Sequence, residues 1–186
     1  AGVAQSEVDA ALDEAGAELA AYGLADYANI ERRHFDVAAN WKLVNDLSLE
    51  SYHFANLHRD SVAQMLEDNA IVDTYGRYSR WSFPSKSIQR LASLPEAEWP
   101  VDVEGSVTYT LFPGVMVLVN SLGAQMIRAE PAGGPGRTAV TYTSMLRPGF
   151  DPAAAREASE FGGAVFGNED LPVAEACQRG IEARGG

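Results

Sequence analysis

The sequence predicts an α+β domain, in which an antiparallel sheet packs against helices on one side. Three observations support this prediction: helical patterns at both ends of the chain, consecutive strand-like runs between them, and no linker or repeat that divides the chain. The 186 residues, 46% hydrophobic and 22% charged, have the size and composition of one globular domain with its own core. We therefore expect residues 1–186 to form a single domain.

The first part of the chain is predicted to contain two helices with a short extended segment between them. Ser6 is a suitable N-cap for a first helix, whose apolar residues recur at helical spacing to about Tyr22. Ile30 to Val37 is predicted as a strand or an extended lead-in. A second helix is predicted from Asn40 to about Leu57, followed by an irregular segment over residues 59–70.

The middle of the chain is rich in β-branched and aromatic residues, which favour strands. Gly76 separates the first two runs and predicts a hairpin turn. The predicted strands are Ile71 to Tyr75, Tyr78 to Phe83, Gly105 to Phe112, Val115 to Ser121, Ala124 to Pro131 and Thr138 to Leu146. A short helix is expected between the second and third of these, from Ile88 to Trp99.

Two separate helices are predicted at the C-terminal end. Asp151 as a cap and Pro152 at the first helical position predict a helix that continues to about Glu160. Asn168 is then predicted to cap a last helix, from about Glu169 to Ala183.

Charge and cysteine content exclude several kinds of partner and site. Acidic residues outnumber basic ones by 26 to 14, and the net charge of −12 disfavours nucleic acid and anionic membranes as partners. The single cysteine, Cys177, cannot form a disulfide framework, a zinc–thiolate site or a cysteine-ligated iron–sulfur cluster. It predicts a reducing, cytoplasmic location, and we expect it to be a small buried residue. The longest apolar run, Val115 to Val119, is far too short to span a membrane.

The most informative segment holds two of the three histidines of the chain. Asp46, Glu50 and His53 have the spacing of residues on one face of a helix. His58 would lie off that face, so both histidines could reach one metal only if the helix bends or ends near Ala55-Asn56. With a carboxylate from elsewhere, they would form the facial ligand set of non-haem Fe(II) oxygenases. A histidine pair without a metal and a solvated acidic helix face both stay open at this point.

Two motifs, in order along the chain, resemble the catalytic-domain signature of Rieske-type non-haem iron oxygenases, the large subunits of ring-hydroxylating oxygenases. The first motif consists of Asn40-Trp41-Lys42, Asp46, Glu50, His53 and His58. The second begins at Asp170 and continues with Glu175 five residues later and Gln178 eight residues later. Leu111-Phe112-Pro113 matches a further feature of the family. The resemblance covers roughly residues 30–183.

The resemblance implies a helix-grip (START-like) fold, with the antiparallel sheet packed on a long C-terminal helix, and an enzyme that hydroxylates an organic substrate with O2. His53, His58 and Asp170 would hold a mononuclear Fe(II). Glu50 and Asp46 would act in catalysis: Glu50 would bridge His53 to a cluster histidine of the neighbouring subunit, and Asp46 would lie near the iron. Monohydroxylation, dihydroxylation and oxidative demethylation all stay open.

The resemblance also implies partners outside this chain. Electrons from NAD(P)H would arrive through a reductase or ferredoxin and a [2Fe–2S] Rieske cluster, and full-length subunits would form a homotrimer. Because the N-terminal Rieske domain of the family has no counterpart here, we expect the chain to be a catalytic-domain fragment. Glu50 stands where Asp is more frequent, a variation that resembles members acting on quaternary amines.

Two other functions and a set of pocket residues complete the expectations. A metal-free ligand-binding module of helix-grip type predicts that His53 and His58 diverge and that Asp170 lies far from both. A hydrolase could use the same three ligands with Zn²⁺. Glu175 and Gln178 are expected either to orient Asp170 or to face solvent. Candidate pocket-lining residues are Phe112, Val117, Val119, Phe161 and Phe166.

Overall fold

A computed structural model describes residues 5–99 and 105–183, and the sheet is its largest element. Seven antiparallel strands are arranged in the order β1-β7-β6-β5-β4-β3-β2. Their bounds are β1 (Ala28–Val37), β2 (Ile71–Tyr75), β3 (Tyr78–Pro84), β4 (Gly105–Leu111), β5 (Val115–Asn120), β6 (Gly123–Pro131) and β7 (Thr138–Leu146). The predicted antiparallel sheet is confirmed, and the last six strands agree with prediction to within about a residue at each end.

The helices agree less well with prediction than the strands do. Their bounds are α1 (Gln5–Ala21), α2 (Trp41–Asp46), α3 (Pro152–Val165) and α4 (Leu171–Ala183). The first helix begins before Ser6, which therefore lies inside it. The predicted helix from Ile88 to Trp99 is replaced by two 3₁₀ segments, Lys86–Ser93 and Glu96–Glu98. None of the helices in the described ranges combines the length and apolar character needed to cross a membrane.

Helices cover both faces of the sheet, so the expectation of helices on one side is wrong. Successive strand residues point to opposite faces, and each face carries its own core. The core under the C-terminal helix includes Met116, Ile127, Val140, Tyr142, Phe166, Leu171 and Ala174. The core on the opposite face consists of Tyr109, Val117, Val119 and Ala124, with Leu19 of α1 and Tyr22 packed against it.

The second helix is much shorter than predicted. Asn40 caps it as its side chain accepts a hydrogen bond from the backbone N–H of Lys42 (3.0 Å), but the helix ends at Asp46 and the following segment forms turns. Local side-chain bonds compete with helix continuation here. Ser48 Oγ donates to the carbonyl of Asn45 (2.7 Å), and Glu50 Oε2 accepts from the backbone N–H of His53 (3.2 Å). The prediction that the two acidic residues and His53 share a helical face is therefore wrong.

The C-terminal helix is continuous where two helices are predicted. Asp151 caps it as predicted, accepting from the N–H of Ala153 (3.0 Å), but Asn168 caps nothing: a π-helical turn, Phe166–Asp170, joins α3 to α4. Glycines in this helix pack directly on β1. A Cβ at Gly163 would lie 2.7 Å from the guanidinium of Arg33. The long C-terminal helix of the helix-grip fold is thus confirmed. Cys177 is exposed on α4, so its predicted burial is wrong.

Candidate metal centre

Three side chains from two distant parts of the chain, the histidine motif and the C-terminal helix, converge at one place. One donor atom from each of His53, His58 and Asp170 lies within 4.8 Å of the others. Oδ1 of Asp170 is 3.1 Å from Nε2 of His58 and 3.7 Å from Nε2 of His53. His58 is only 3% exposed and Asp170 9%. The divergent histidines that a metal-free binding module predicts are therefore not found.

Turns and aromatic packing hold the two histidines together. The carbonyl of His53 accepts the backbone N–H groups of Asn56 (3.1 Å) and Leu57 (2.7 Å), which folds the chain back toward His58. The two imidazole rings meet edge to face, with centroids 4.8 Å apart. Phe54 contacts both rings and also packs on Phe83 of β3, at a centroid distance of 5.1 Å. The turn that carries the histidines is therefore anchored to the sheet.

Asp170 is the last residue of the π-helical turn, and the helix that follows is tied to the start of the histidine motif. Glu175 Oε1 accepts from the backbone N–H of Ala38 (2.9 Å), and Gln178 Oε1 accepts from that of Asn40 (3.0 Å). Among the described residues, neither side chain forms a hydrogen bond with Asp170, and neither faces only solvent. Their hydrogen bonds join α4 to the segment that leads into α2. They therefore fix the position of the motif that begins at Asp170 relative to the motif that contains the histidines.

Each histidine has a second carboxylate on its other ring nitrogen. Nδ1 of His53 is hydrogen-bonded to Glu50 Oε1, and Nδ1 of His58 is 2.7 Å from Glu169 Oε2. An Nδ1–H that donates to a carboxylate leaves Nε2 with its lone pair available, and in both rings Nε2 points toward Asp170. Glu169 is a residue that sequence reasoning missed; its position directly before the predicted ligand was the available signal.

The surroundings of His58 favour positive charge. Burial by itself lowers the pKa of this imidazole, but hydrogen bonds and negative charge from Asp170 and Glu169 oppose that effect. The net result is a pKa above the ordinary value for histidine. The negative charge of the two carboxylates that raises this pKa would equally stabilise a metal cation bound at Nε2 in place of a proton.

Asp46 lies apart from this hydrogen-bonded group. Partial burial raises the pKa of its carboxyl group, and the charge of Lys42 opposes the shift. Among the described residues, none forms a hydrogen bond or ion pair with its side chain. Its catalytic role stays a prediction.

The donor set fits a divalent metal. Two imidazoles and one carboxylate are the ligands of non-haem Fe(II) sites, and metal-bound histidines usually donate their other N–H to a carboxylate or carbonyl. Three carboxylates, those of Glu50, Glu169 and Asp170, face the two histidines. Within the described ranges, no Lys or Arg forms an ion pair with any of the three. A divalent cation would neutralise part of this negative charge.

The predicted pocket residues are mostly misplaced. Val117 and Val119 belong to the core under α1, on the opposite face of the sheet from the histidines. Phe166 is buried against Phe35 and Tyr142 in the core. The other two candidates, Phe112 and Phe161, are both substantially exposed. The aromatic residues that do approach the histidines, Phe54 and Phe83, were not predicted, because their proximity depends on how the turn packs against β3.

Comparisons with known proteins identify the family and the fold of the chain. A protein-family model described as "Ring hydroxylating alpha subunit (catalytic domain)" matches residues 24–186. Structures of the quaternary ammonium Rieske monooxygenase CntA, with an inhibitor and with L-carnitine, superpose with TM-scores of 0.78 and 0.75. Both are 21% identical and cover 96% of this chain and 46% of theirs. A naphthalene 1,2-dioxygenase variant bound to phenanthrene superposes with a TM-score of 0.64 at 12% identity, over 93% of this chain and 48% of that one.

These structural matches establish a shared fold. The chain spans about half the length of the solved proteins that it matches. A search among curated protein sequences finds no significant match.

Proposed function

The chain belongs to the family of ring-hydroxylating alpha subunits, as their catalytic domain, and we propose that it hydroxylates an organic substrate with O2 at a mononuclear Fe(II). His53, His58 and Asp170 are the proposed ligands. The single observation that carries the proposal is the convergence of their donor atoms within 4.8 Å. This is the two-histidine, one-carboxylate set that leaves coordination positions open for O2 and substrate.

The proposed roles of the chain's own residues follow from their contacts. Fe(II), when bound, would supply the O2 chemistry. Glu50 would hold His53 with Nε2 directed at the metal, since it is hydrogen-bonded to Nδ1. The Glu50 side chain is also about one-third exposed, which would let it contact a neighbouring subunit. Phe54 and Phe83 would limit the access of water to the histidine rings.

We propose that the electrons come from NAD(P)H through a reductase or ferredoxin and a Rieske cluster that lies outside these 186 residues. Such a cluster needs two Cys and two His, and the chain contains one cysteine. Inter-subunit electron transfer is described for the quaternary ammonium Rieske monooxygenase, and a homotrimer of longer subunits is proposed here by analogy. A cytoplasmic location stays a prediction.

The substrate class is proposed at the level of a small organic molecule. Structural relatives carry L-carnitine, a quaternary ammonium compound, or phenanthrene, a polycyclic arene. These two kinds of compound are therefore the first to assay. Consumption of O2 and dependence on a reductant would separate the oxygenase from a zinc hydrolase that uses the same ligands.

The experiment that tests the metal centre is metal analysis after anaerobic reconstitution with Fe(II). The wild-type chain is expected to retain about one iron per chain, as one facial ligand set predicts. His58→Ala is expected to lose it, because one of three ligands is gone. His34→Ala is the matched control, since His34 is exposed on β1 and, among the described residues, its side chain is hydrogen-bonded to Thr141 and not to the proposed ligands. A folded wild-type protein without iron would contradict the proposal.

A further inference from the structure

Both ring nitrogens of His58 are contacted by consecutive residues of the C-terminal helix. Glu169 Oε2 lies 2.7 Å from Nδ1, and Asp170 Oδ1 lies 3.1 Å from Nε2. The ring is therefore clamped on opposite edges, and its rotation would break at least one of these contacts. Asp170 is a proposed metal ligand, whereas Glu169 contacts the ring nitrogen that faces away from the proposed metal.

The two residues that contact His58 are the last two of the π-helical turn, Phe166–Asp170. In a regular α-helix, adjacent side chains point about 100° apart around the axis. Here adjacent side chains reach the same imidazole from two sides, at the end of a turn with π-type hydrogen bonds. Such turns are rare and occur frequently at functional sites.

A second hydrogen bond fixes the carboxylate of Glu169. Ser61 Oγ donates to Glu169 Oε2 (2.8 Å), and Ser61 lies in the turn that follows His58, where its backbone N–H donates to the carbonyl of His58 (3.0 Å). The acceptor oxygen of Glu169 is thus held by two groups from the turn that carries the histidine. This arrangement orients the oxygen toward Nδ1.

The two histidines differ in where their orienting carboxylate comes from. Glu50 precedes His53 by three residues in the same stretch of turns. Glu169 is 111 residues away from His58 in sequence and belongs to the C-terminal helix. The orientation of His58 therefore depends on how that helix docks, whereas the orientation of His53 is largely local.

We propose that Glu169 is a positioning residue: by accepting Nδ1–H from His58, it keeps Nε2 directed at the metal and couples metal binding to docking of the C-terminal helix. The inference rests on the proposed metal centre. Residues that orient metal-bound histidines in this way typically contribute about 10- to 100-fold in metal affinity.

The test is a titration of the metal-free chain with Co²⁺, followed by its visible absorption, for the wild type, Glu169→Gln, Glu169→Ala and Glu160→Gln. Glutamine can still accept from Nδ1–H but lacks the charge, so we expect its dissociation constant to rise by about 10-fold. Alanine removes the acceptor, so we expect a rise approaching 100-fold. Glu160→Gln removes an exposed carboxylate from the same helix and is expected to leave the affinity unchanged. Circular dichroism confirms that each variant is folded.

A second readout distinguishes positioning from a general structural role. In the Zn²⁺-loaded wild type, the Nδ1 proton of His58 should be protected from exchange with water and visible by NMR. It should be lost to exchange in Glu169→Ala and retained in Glu160→Gln.

The outcomes separate the two proposals. Unchanged affinity and an unchanged Nδ1 proton in both Glu169 variants, with metal still lost in His58→Ala, would overturn the role of Glu169 and leave the metal centre standing. A folded wild type that takes up no metal would overturn both.

Discussion

Two polar clusters that lie between a helix and the sheet differ in how their charges are balanced. Under α1, Glu18 accepts hydrogen bonds from Tyr75 (2.9 Å), Tyr109 (2.9 Å) and Arg80 (2.7 Å), and Arg80 also pairs with Asp73 (2.7 Å). Under the C-terminal helix, three carboxylates face two histidines. No Lys or Arg in the described ranges pairs with those carboxylates.

A structural network and a candidate metal centre differ in what balances the charge of their carboxylates. Both clusters contain carboxylates at hydrogen-bonding distance from their partners. In the Glu18 cluster a guanidinium lies between the carboxylates, so the network is satisfied by the chain alone. In the histidine cluster, the described residues place no Lys or Arg between the carboxylates, and the proposed metal ion would supply the missing positive charge. We infer that the first cluster stabilises the docking of α1 and that the second depends on a ligand for its stability.

The largest expected effect is the increase in unfolding free energy when a metal binds, which should depend on the histidine cluster and not on the Glu18 cluster. At free metal about 100 times the dissociation constant, binding adds about 2.7 kcal/mol to the unfolding free energy, or roughly 5–10 °C in Tm for a domain of this size. The increase should be reversed by a chelator and absent in Asp170→Ala. Arg80→Met, in the other cluster, should keep it. Differential scanning calorimetry with and without metal measures the effect, and an equal loss in both variants would refute the separation.

Arg80→Met should produce the next largest effect, now on the metal-free chain. It leaves Glu18 and Asp73 without their shared cation, and because the side chains are partly exposed we expect a loss of about 1–2 kcal/mol. Urea denaturation measures it. Arg59→Met is the control, since the Arg59–Asp60 pair is highly exposed and should cost less than about 0.5 kcal/mol. Equal losses would show that Arg80 makes no special contribution.

Tyr109→Phe should have a smaller effect in the same cluster. The change removes one hydroxyl donor to Glu18 while it keeps the buried ring, so we expect a loss of about 1 kcal/mol. Tyr52→Phe, at a side chain that is 89% exposed, should leave stability unchanged. Both variants should bind metal as the wild type does. Weaker metal binding in Tyr109→Phe would show that the two faces of the sheet are coupled.

The smallest expected effect is on how steeply the unfolding free energy falls at acidic pH. Burial alone would raise the pKa of Glu18, but hydrogen bonds from Tyr109, Tyr75 and Arg80 together lower it. A carboxyl group with a lowered folded-state pKa contributes stability above its unfolded-state pKa and loses it as the pH falls through the folded-state pKa. Glu18→Gln should therefore flatten the fall in stability below about pH 4.5, the ordinary pKa of a glutamate side chain.

Urea denaturation in steps from pH 7 to pH 3 measures this slope. Glu14→Gln, at an exposed position of α1, is the matched control and should retain the wild-type slope. A wild-type slope in Glu18→Gln as well would mean that the network does not hold Glu18 ionised in the folded state.

Sequence patterns predicted the strands well because strand formation depends on local residue type. The runs from Ile71 to Tyr75 and from Thr138 to Leu146 have the same bounds in the structure as in the prediction. Their β-branched and aromatic residues favour extended backbone wherever they are placed in the sheet. The prediction of a long helix through the histidines was wrong. The spacing of apolar residues carries no information about a side chain such as Glu50, which accepts a hydrogen bond from the backbone N–H three residues ahead and so favours a turn.

Residue type and spacing along the chain by themselves determined the α+β fold class, the antiparallel sheet and the histidine pair His53 and His58 as candidate ligands. The resemblance of two motifs to the oxygenase family then implied Asp170 as the carboxylate ligand. Only the tertiary structure decided that α1 lies on the opposite face from the C-terminal helix, that a π-helical turn joins α3 to α4, and that Glu169 contacts His58. These features depend on contacts between residues far apart in sequence. The last two features result from the packing of the C-terminal helix against β1 and against the turn that carries the histidines. No local sequence pattern specifies that packing.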